Sequence, residues 1–157
     1  MLIAKYPSSG SITIIFGNII NIEGDISINT DGELNMSSNS GIQIGNSGNL
    51  SINSGGVLEM LGSQGNEISL GSSDSDYWSF ICFSGGTVAA EWATFGDMSS
   101  WGVNILSGGI VDLNHSFNHC TFLPGQANGT LLYIGNTQSS LYHGLDRKDE
   151  AGFAQAD

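Results

Sequence analysis

Basic side chains are almost missing from this chain of 157 residues. Lys5, Arg147 and Lys148 are the only ones, so residues 6–146 contain neither lysine nor arginine. Phosphate backbones are bound chiefly through such side chains, which excludes nucleic-acid binding by this stretch. The net charge of −12 also disfavours an anionic membrane or a polyanionic sugar as a direct partner. The acidity is compatible with binding of cations or neutral glycans, and also with simple solubility in a saline medium.

Cysteine and long apolar runs are also scarce. Cys82 and Cys120 are too few for a disulfide framework, and we expect both at inward positions as buried free thiols. No apolar run approaches the roughly 20 residues that cross a bilayer, so we expect no membrane insertion. Residues 1–16 lack the charged lead and apolar block of a signal peptide. If the protein is exported, we expect this chain to be a mature or excised segment of something longer.

Two segments of the chain repeat each other without a gap. Residues 78–88 are WSFICFSGGTV and residues 101–111 are WGVNILSGGIV, 23 positions later. A period in the low twenties built from short apolar runs is typical of a solenoid with one coil per period. The shared alternation predicts that Trp78 and Trp101 stack as an aromatic pair in or near the core. It also predicts that Ile105 faces inward and Asn104 outward.

A finer rhythm runs through the first half of the chain. Five apolar-polar-apolar triplets follow each other at intervals of eight residues: 26–28, 34–36, 42–44, 50–52 and 58–60. Three such strand-and-bend units make 24 residues, which predicts a triangular coil with Ile26 beneath Leu50 and Leu34 beneath Leu58. We expect residues 62–66 and 72–76 to form loops at the corners. An antiparallel meander or sandwich also explains the eight-residue rhythm, but not the ungapped repeat.

The repeats, together with Phe95 and the Cys120-Thr121-Phe122 segment, resemble the coils of right-handed parallel β-helix proteins. Proteins of that kind have the pectin-lyase-like fold. The similarity covers about residues 11–137 and is to repeat domains of secreted bacterial surface proteins. The resemblance implies an extracellular or cell-surface location and carbohydrate as a common ligand class. It transfers no active site, because the chain carries no catalytic motif of the family.

The predicted fold is therefore all-β, a right-handed parallel β-helix. We expect a three-sided solenoid with about 23–24 residues per coil and about five to six coils, with short terminal caps. The β-helix domain is assigned to residues 1–140. Residues 141–157 break the pattern and are assigned to a C-terminal cap or tail, formed as a short helix or a strapped loop, because the last coil of a solenoid must be covered.

The sequence leaves open whether the chain is an enzyme and favours a non-catalytic role. Lyases that share the resembled fold use an Arg or Lys as the base, which the coils lack. Glycosidases need two facing carboxylates, and none of the carboxylates here sits in a recognisable motif. We therefore assign no catalytic residue.

A binding surface is easier to place. Alternation with inward Phe95 predicts that Trp92 projects outward from a flat sheet, where its ring could stack on a sugar. We assign no cofactor, although Asp97, Asp74 and Asp76 could supply hydrogen bonds or ligands for Ca²⁺. The alternative, which the sequence leaves equally open, is that a loop or the C-terminal tail covers Trp92.

Two functional hypotheses follow. The first is a non-catalytic extracellular module of a surface, adhesive or matrix protein. Such a module either self-associates through its solenoid ends, in one version into fibres, or contacts other surface proteins. The second is a carbohydrate-active or carbohydrate-binding β-helix domain with a Ca²⁺-dependent site for neutral glycans.

Overall fold

The computed structural model describes residues 10–14, 17–74, 76–135 and 153–155. Within these ranges every regular element is a β-strand, and no helix is present. All sixteen strands pair in parallel with their sheet neighbours. They form three sheets of five, five and six strands, which confirms the three-sided parallel solenoid of about five coils.

From β1 to β15, each sheet contains every third strand of the chain, and β16 is added to the third sheet. The first sheet contains β1 (Gly10–Ile14), β4 (Gly32–Ser37), β7 (Val57–Leu61), β10 (Thr87–Glu91) and β13 (Ile110–Asn118). The second contains β2 (Ile19–Glu23), β5 (Gly41–Gly45), β8 (Ile68–Ser72), β11 (Ala93–Phe95) and β14 (Thr121–Phe122). The third contains β3 (Ile26–Ile28), β6 (Asn49–Ile52), β9 (Trp78–Cys82), β12 (Met98–Ile105), β15 (Leu132–Ile134) and β16 (Phe153–Gln155).

Residues one coil apart lie side by side in the sheets. Ile26 pairs with Leu50 and Leu34 with Leu58, both 24 residues apart as predicted. Leu58 pairs with Val88, 30 residues on. The coil between them is longer because residues 62–67 lie outside the strands and β8 and β9 are separated by a second connection. These positions agree with the loops predicted at 62–66 and 72–76, except that Ser72 is still in β8.

Inward side chains form apolar columns along the solenoid axis. Leu50, Phe80 and Val103 follow one another in the third sheet, and each is fully buried. In the second sheet the rings of Phe95 and Phe122 stack with centroids 5.1 Å apart and planes inclined by 7°. Burying a side chain of this size stabilises a fold by about 1.5–3 kcal/mol. The stability of each coil therefore comes mainly from the coils that cover it on both sides.

The two thiols belong to this core. Cys82 pairs with Ile105, and both are fully buried. Cys120 is also fully buried, and neither cysteine is in a disulfide, as predicted. Burial raises the pKa of the Cys82 thiol to about 11 and that of Cys120 to about 12, because the apolar interior disfavours the thiolate.

The predicted aromatic pair of Trp78 and Trp101 is wrong. Trp78 is fully buried and donates its indole N–H to the Gly96 carbonyl at 2.7 Å, but Trp101 is 66% exposed. The partner of Trp78 in the neighbouring strand is Met98. The two tryptophans are equivalent in the sequence repeat, but they are not paired in the sheet.

A bulge in β12 causes this difference. Trp78 pairs with Met98 and Phe80 with Val103, so β12 has three extra residues over this interval. Gly102 lies in the bulge with a φ of 59°. A Cβ at this position would lie 2.0 Å from the carbonyl oxygen of Thr130, so only glycine fits. The bulge breaks the expected alternation and turns Trp101 to the outside.

The tail contributes one strand. Phe153–Gln155 pairs in parallel with β15 and extends the third sheet by one strand beyond it. The remainder of the predicted cap or tail at 141–157 lies outside the described residues, as do residues 1–9. No helix within the described ranges is long and apolar enough to span a membrane.

Candidate functional site

The four residues predicted to bind a ligand lie at two different corners of the solenoid. Asp74 and Asp76 follow β8, and Asp97 follows β11, so all three lie at the corner between the second and third sheets. Trp92 lies between β10 and β11, at the corner between the first and second sheets. Strand β11 separates the two corners, and the structure does not bring Trp92 together with the aspartates.

The carboxylate of Asp74 is occupied by hydrogen bonds within the corner. Its Oδ2 accepts the backbone N–H of Asn46 at 2.9 Å. Its Oδ1 accepts the Ser72 hydroxyl at 2.8 Å and the backbone N–H of Asp76 at 2.9 Å. The Asn46 hydrogen bond, followed by those from Ser72 and Asp76, lowers the pKa of this carboxyl, because each favours the ionised form. Asp74 thus links adjacent coils, a structural role.

An acidic column follows the same corner from coil to coil. The side-chain amide of Asn46 donates to Glu23 Oε2, and the backbone N–H of Ser72 donates to Asp97 Oδ2 at 3.4 Å. Among the described residues, no three His, Cys, Asp or Glu side chains are grouped as ligands for one metal ion. The aspartates therefore share a corner, and their hydrogen bonds connect neighbouring coils.

Trp92 does not lie on a flat sheet as predicted. Its backbone is left-handed, with a φ of 50°, and its side chain is half-buried at the corner. The imidazole of His119 covers one face of the indole, with ring centroids 4.2 Å apart and planes inclined by 15°. That face is not available for stacking on a sugar.

A histidine and two carboxylates meet nearby, which the sequence analysis did not anticipate. His115 Nδ1 lies 3.2 Å from Asp112 Oδ1, and its Nε2 lies 3.9 Å from Glu91 Oε2. The contact exists because β13 is irregular: Val88 pairs with Val111 but Ala90 with Ser116, leaving three extra residues in β13. All three side chains are partly exposed, and the imidazole of His115 lies between the two carboxylates.

The outer face of the third sheet carries a shallow groove of about 220 Å³. Its lining residues come from β9, β12 and the residues that follow these strands: Ser79, Ile81, Phe83, Trp101, Asn104 and Leu106. Ile81 pairs with Asn104 across the two strands. The N–H of Leu106 donates to the Cys82 carbonyl at 2.9 Å, which places Leu106 in register with Phe83.

The groove combines exposed aromatic rings with one enclosed amide. Trp101 is 66% and Phe83 39% exposed. Asn104 faces out of the coil as predicted, but it is only 8% exposed, and its Oδ1 is buried without a hydrogen-bond partner. This site was not predicted from the sequence. The one signal for it is the glycine after Trp101, where the first repeat has Ser79.

Elsewhere on the outer surface, polar side chains bind each other from coil to coil. The amide of Asn53 donates to Asn29 Oδ1 at 2.9 Å, and the amide of Asn49 donates to Asp25 Oδ1 at 2.9 Å. Both pairs are 24 residues apart, one coil in this part of the chain. Such ladders tie neighbouring coils together.

Comparisons with protein-family models, with curated proteins and with solved structures found no match to this chain.

Proposed function

We propose that this chain is a non-catalytic β-helix module of an extracellular or cell-surface protein, with a structural, adhesive or matrix role. The observation that carries the proposal is the coil-to-coil hydrogen bonding of outward side chains, as between Asn53 and Asn29. These groups brace adjacent coils and do not converge on a common point, as the side chains of an active site would. A surface of this kind suits a rigid scaffold or spacer.

The resemblance of the repeats to coils of pectin-lyase-like surface proteins of bacteria supports the extracellular location. The chemistry of the carboxylates supports the non-catalytic role. Asp74 accepts three hydrogen bonds within its own corner, and His115 is held between Asp112 and Glu91. None of these groups is paired across a cleft with a second group that could act on a bound substrate.

Self-association through the solenoid ends is part of the proposal, and another surface protein could take the same place. In β2, an edge strand of the second sheet, Ile20 and Ile22 are only half-buried and Ile19 is 62% exposed. In the next coil, Ile42 and Ile44 are 1% exposed. An apolar edge strand of this kind is a template for a further strand.

Electron microscopy and sedimentation velocity over a wide concentration range test the role. A structural module that stacks end to end should form filaments with an axial repeat of about 4.8 Å in fibre diffraction. A protein that stays monomeric throughout contradicts the assembly. Release of new reducing ends or unsaturated products from polysaccharides, followed by mass spectrometry, contradicts the non-catalytic role.

Glycan binding is the second candidate function, favoured by the exposed ring of Trp101 in the groove of the third sheet. In a Ca²⁺-dependent version of this function, the glycan binds at Asp74, Asp76, Asp97 and Trp92 instead of in the groove. A glycan array read with Ca²⁺ and with EDTA distinguishes the two sites, since only the Ca²⁺-dependent site loses binding in EDTA.

A further inference from the structure

The groove between β9 and β12 has the composition of a ligand site. Its walls are the side chains of Ile81, Phe83, Leu106 and Trp101, and no charged side chain lines it. It extends from Ser79 to Phe83, about 13 Å along an extended strand at ~3.3 Å per residue. Apolar walls with a few polar groups are typical of sites that bind small molecules or short chains.

The amide of Asn104 is the unusual feature of this groove. The Asn104 side chain lines the groove, the residue is only 8% exposed, and its Oδ1 has no hydrogen-bond partner. Buried polar atoms in folded proteins almost always have a partner, since an unpaired one costs about 1–3 kcal/mol. Rotation of the amide by half a turn exchanges its oxygen and nitrogen, so Asn104 can offer either an acceptor or a donor. The Oδ1 atom is itself covered, so a ligand in the groove reaches the amide only after such a rotation or a small shift of the side chains around it.

We propose that this groove binds a neutral glycan without Ca²⁺, with Trp101 as the stacking platform and Asn104 as the hydrogen-bonding group. The proposal rests on the function proposed above and names the ligand class of the module. A sugar ring has an apolar C–H face for the indole and hydroxyls at its edge for the amide. An apolar peptide would match the walls but would leave the Asn104 amide unpaired.

The neutral charge of the ligand follows from the charges of the protein. The chain carries a net charge of −12, and its only basic residues, Lys5, Arg147 and Lys148, lie outside the described residues. None of the described residues that line the groove is a cation for a uronate or a sulfate group, and the net negative charge of the chain repels both. The groove also has no carboxylate that could hold a bridging Ca²⁺.

Isothermal titration of the full chain with cellohexaose, xylohexaose and mannohexaose, and with hexagalacturonate as the anionic counterpart, tests the proposal. We expect at least one neutral hexasaccharide to bind equally well in Ca²⁺ and in EDTA, and hexagalacturonate not to bind. Trp101→Ala should weaken binding about tenfold or more, because it removes the stacking surface. Trp92→Ala, which removes a tryptophan from a different corner, should leave the affinity unchanged.

Asn104→Leu separates binding from folding. This variant removes an unpaired buried amide, so its thermal stability should equal or exceed that of the wild type. Its glycan affinity should nevertheless fall by about tenfold, as expected when one hydrogen bond to the ligand is lost. A fall in affinity accompanied by a matching loss of stability contradicts a direct role for Asn104.

Several outcomes overturn the inference. Binding that survives Trp101→Ala but is lost in EDTA or in Trp92→Ala places the site at the corners. Absence of binding by all four sugars rejects the groove as a glycan site, while filament formation would keep the proposed module intact. Self-association that is abolished by Trp101→Ala identifies a second copy of the chain as the occupant. Cleavage of any hexasaccharide instead rejects the proposed function itself.

Discussion

The indole of Trp92 stacks on the imidazole of His119, with centroids 4.2 Å apart. The two residues are 27 positions apart and occupy the same corner in successive coils, where the backbone N–H of Trp92 donates to the Asn118 carbonyl at 2.9 Å. Both have left-handed backbones, with φ of 50° and 55°. Large side chains rarely adopt this conformation, which costs roughly 1–2 kcal/mol per residue. The ring stacking offsets part of that cost.

Substitution of His119 separates these two contributions. His119→Ala should lower the free energy of unfolding by about 1 kcal/mol, because the stacked ring is lost while the strained backbone remains. His119→Gly also loses the ring but relieves the backbone, so it should be at least as stable as the alanine variant. Urea unfolding of both variants measures the difference. An alanine variant clearly more stable than the glycine variant would contradict the left-handed corner.

Asp74→Asn should destabilise the protein in a pH-dependent manner. Hydrogen bonds, the one from Asn46 foremost, lower the folded-state pKa of Asp74 below the usual 3.8. The ionised carboxylate therefore stabilises the fold above that value, and the stabilisation is lost as the pH falls through the folded pKa. Thermal unfolding should show a lower melting temperature for Asp74→Asn at pH 7, with a difference that shrinks in acid.

Asp76→Asn is the matched control for that experiment. It removes the same charge two residues away but keeps the backbone N–H that donates to Asp74. We expect a smaller effect at pH 7, since exposed charges at this acidic surface contribute little by themselves. Equal effects of the two substitutions would mean that net charge, and not the hydrogen bonds of Asp74, determines the stability of the corner.

The buried thiols should make the protein sensitive to alkali. Their folded-state pKa values of about 11 for Cys82 and about 12 for Cys120 lie above the ordinary 9.0. The contribution of the protonated thiols to the free energy of unfolding is therefore complete below pH 9 and is lost as the pH rises towards 11–12. The loss should approach about 1.4 kcal/mol per pH unit for each thiol within this window.

The double variant Cys82→Ala/Cys120→Ala provides the comparison. Its stability should fall less steeply above pH 9 than that of the wild type, as measured by urea unfolding. In the wild type at neutral pH, a thiol-specific reagent should react only after urea is added, because the thiols are buried and largely protonated. Rapid labelling of the folded protein would show that one of them is accessible.

Removal of residues 141–157 should change the association state. The deletion removes β16 and leaves the N–H and C=O groups of β15 (Leu132–Ile134) unpaired on that side. Such an edge recruits other chains, so sedimentation should show concentration-dependent association. The same truncation with Tyr133→Lys should remain monomeric, because a charge on an edge strand opposes further pairing. A truncated chain that is monomeric without the lysine contradicts both a capping and an assembling role for the tail.

Strand faces could be predicted from the sequence because side-chain alternation in a strand is a local property. The spacing of the triplets was enough to place Ile26 beneath Leu50 and Leu34 beneath Leu58. Burial of Cys82 followed from its alignment with Ile105 in the repeat. Asp74 lies in one of the predicted corner loops, but the hydrogen-bond partners of Asp74 and Asp97 include groups from neighbouring coils, which no local pattern identifies.

The candidate groove depends on contacts between coils. The sequence alone determined a parallel solenoid with a period in the low twenties, because repeated apolar runs must stack to be buried. Tertiary structure decided that Trp101 faces outward, because Gly102 fits directly against Thr130 in the next coil and three extra residues break the register of β12. It also decided that one face of the Trp92 indole is covered, since the ring that stacks on it comes from His119, one coil away. Matching residues of a sequence repeat occupy equivalent positions in successive coils only where the backbone of the two repeats has the same length and conformation.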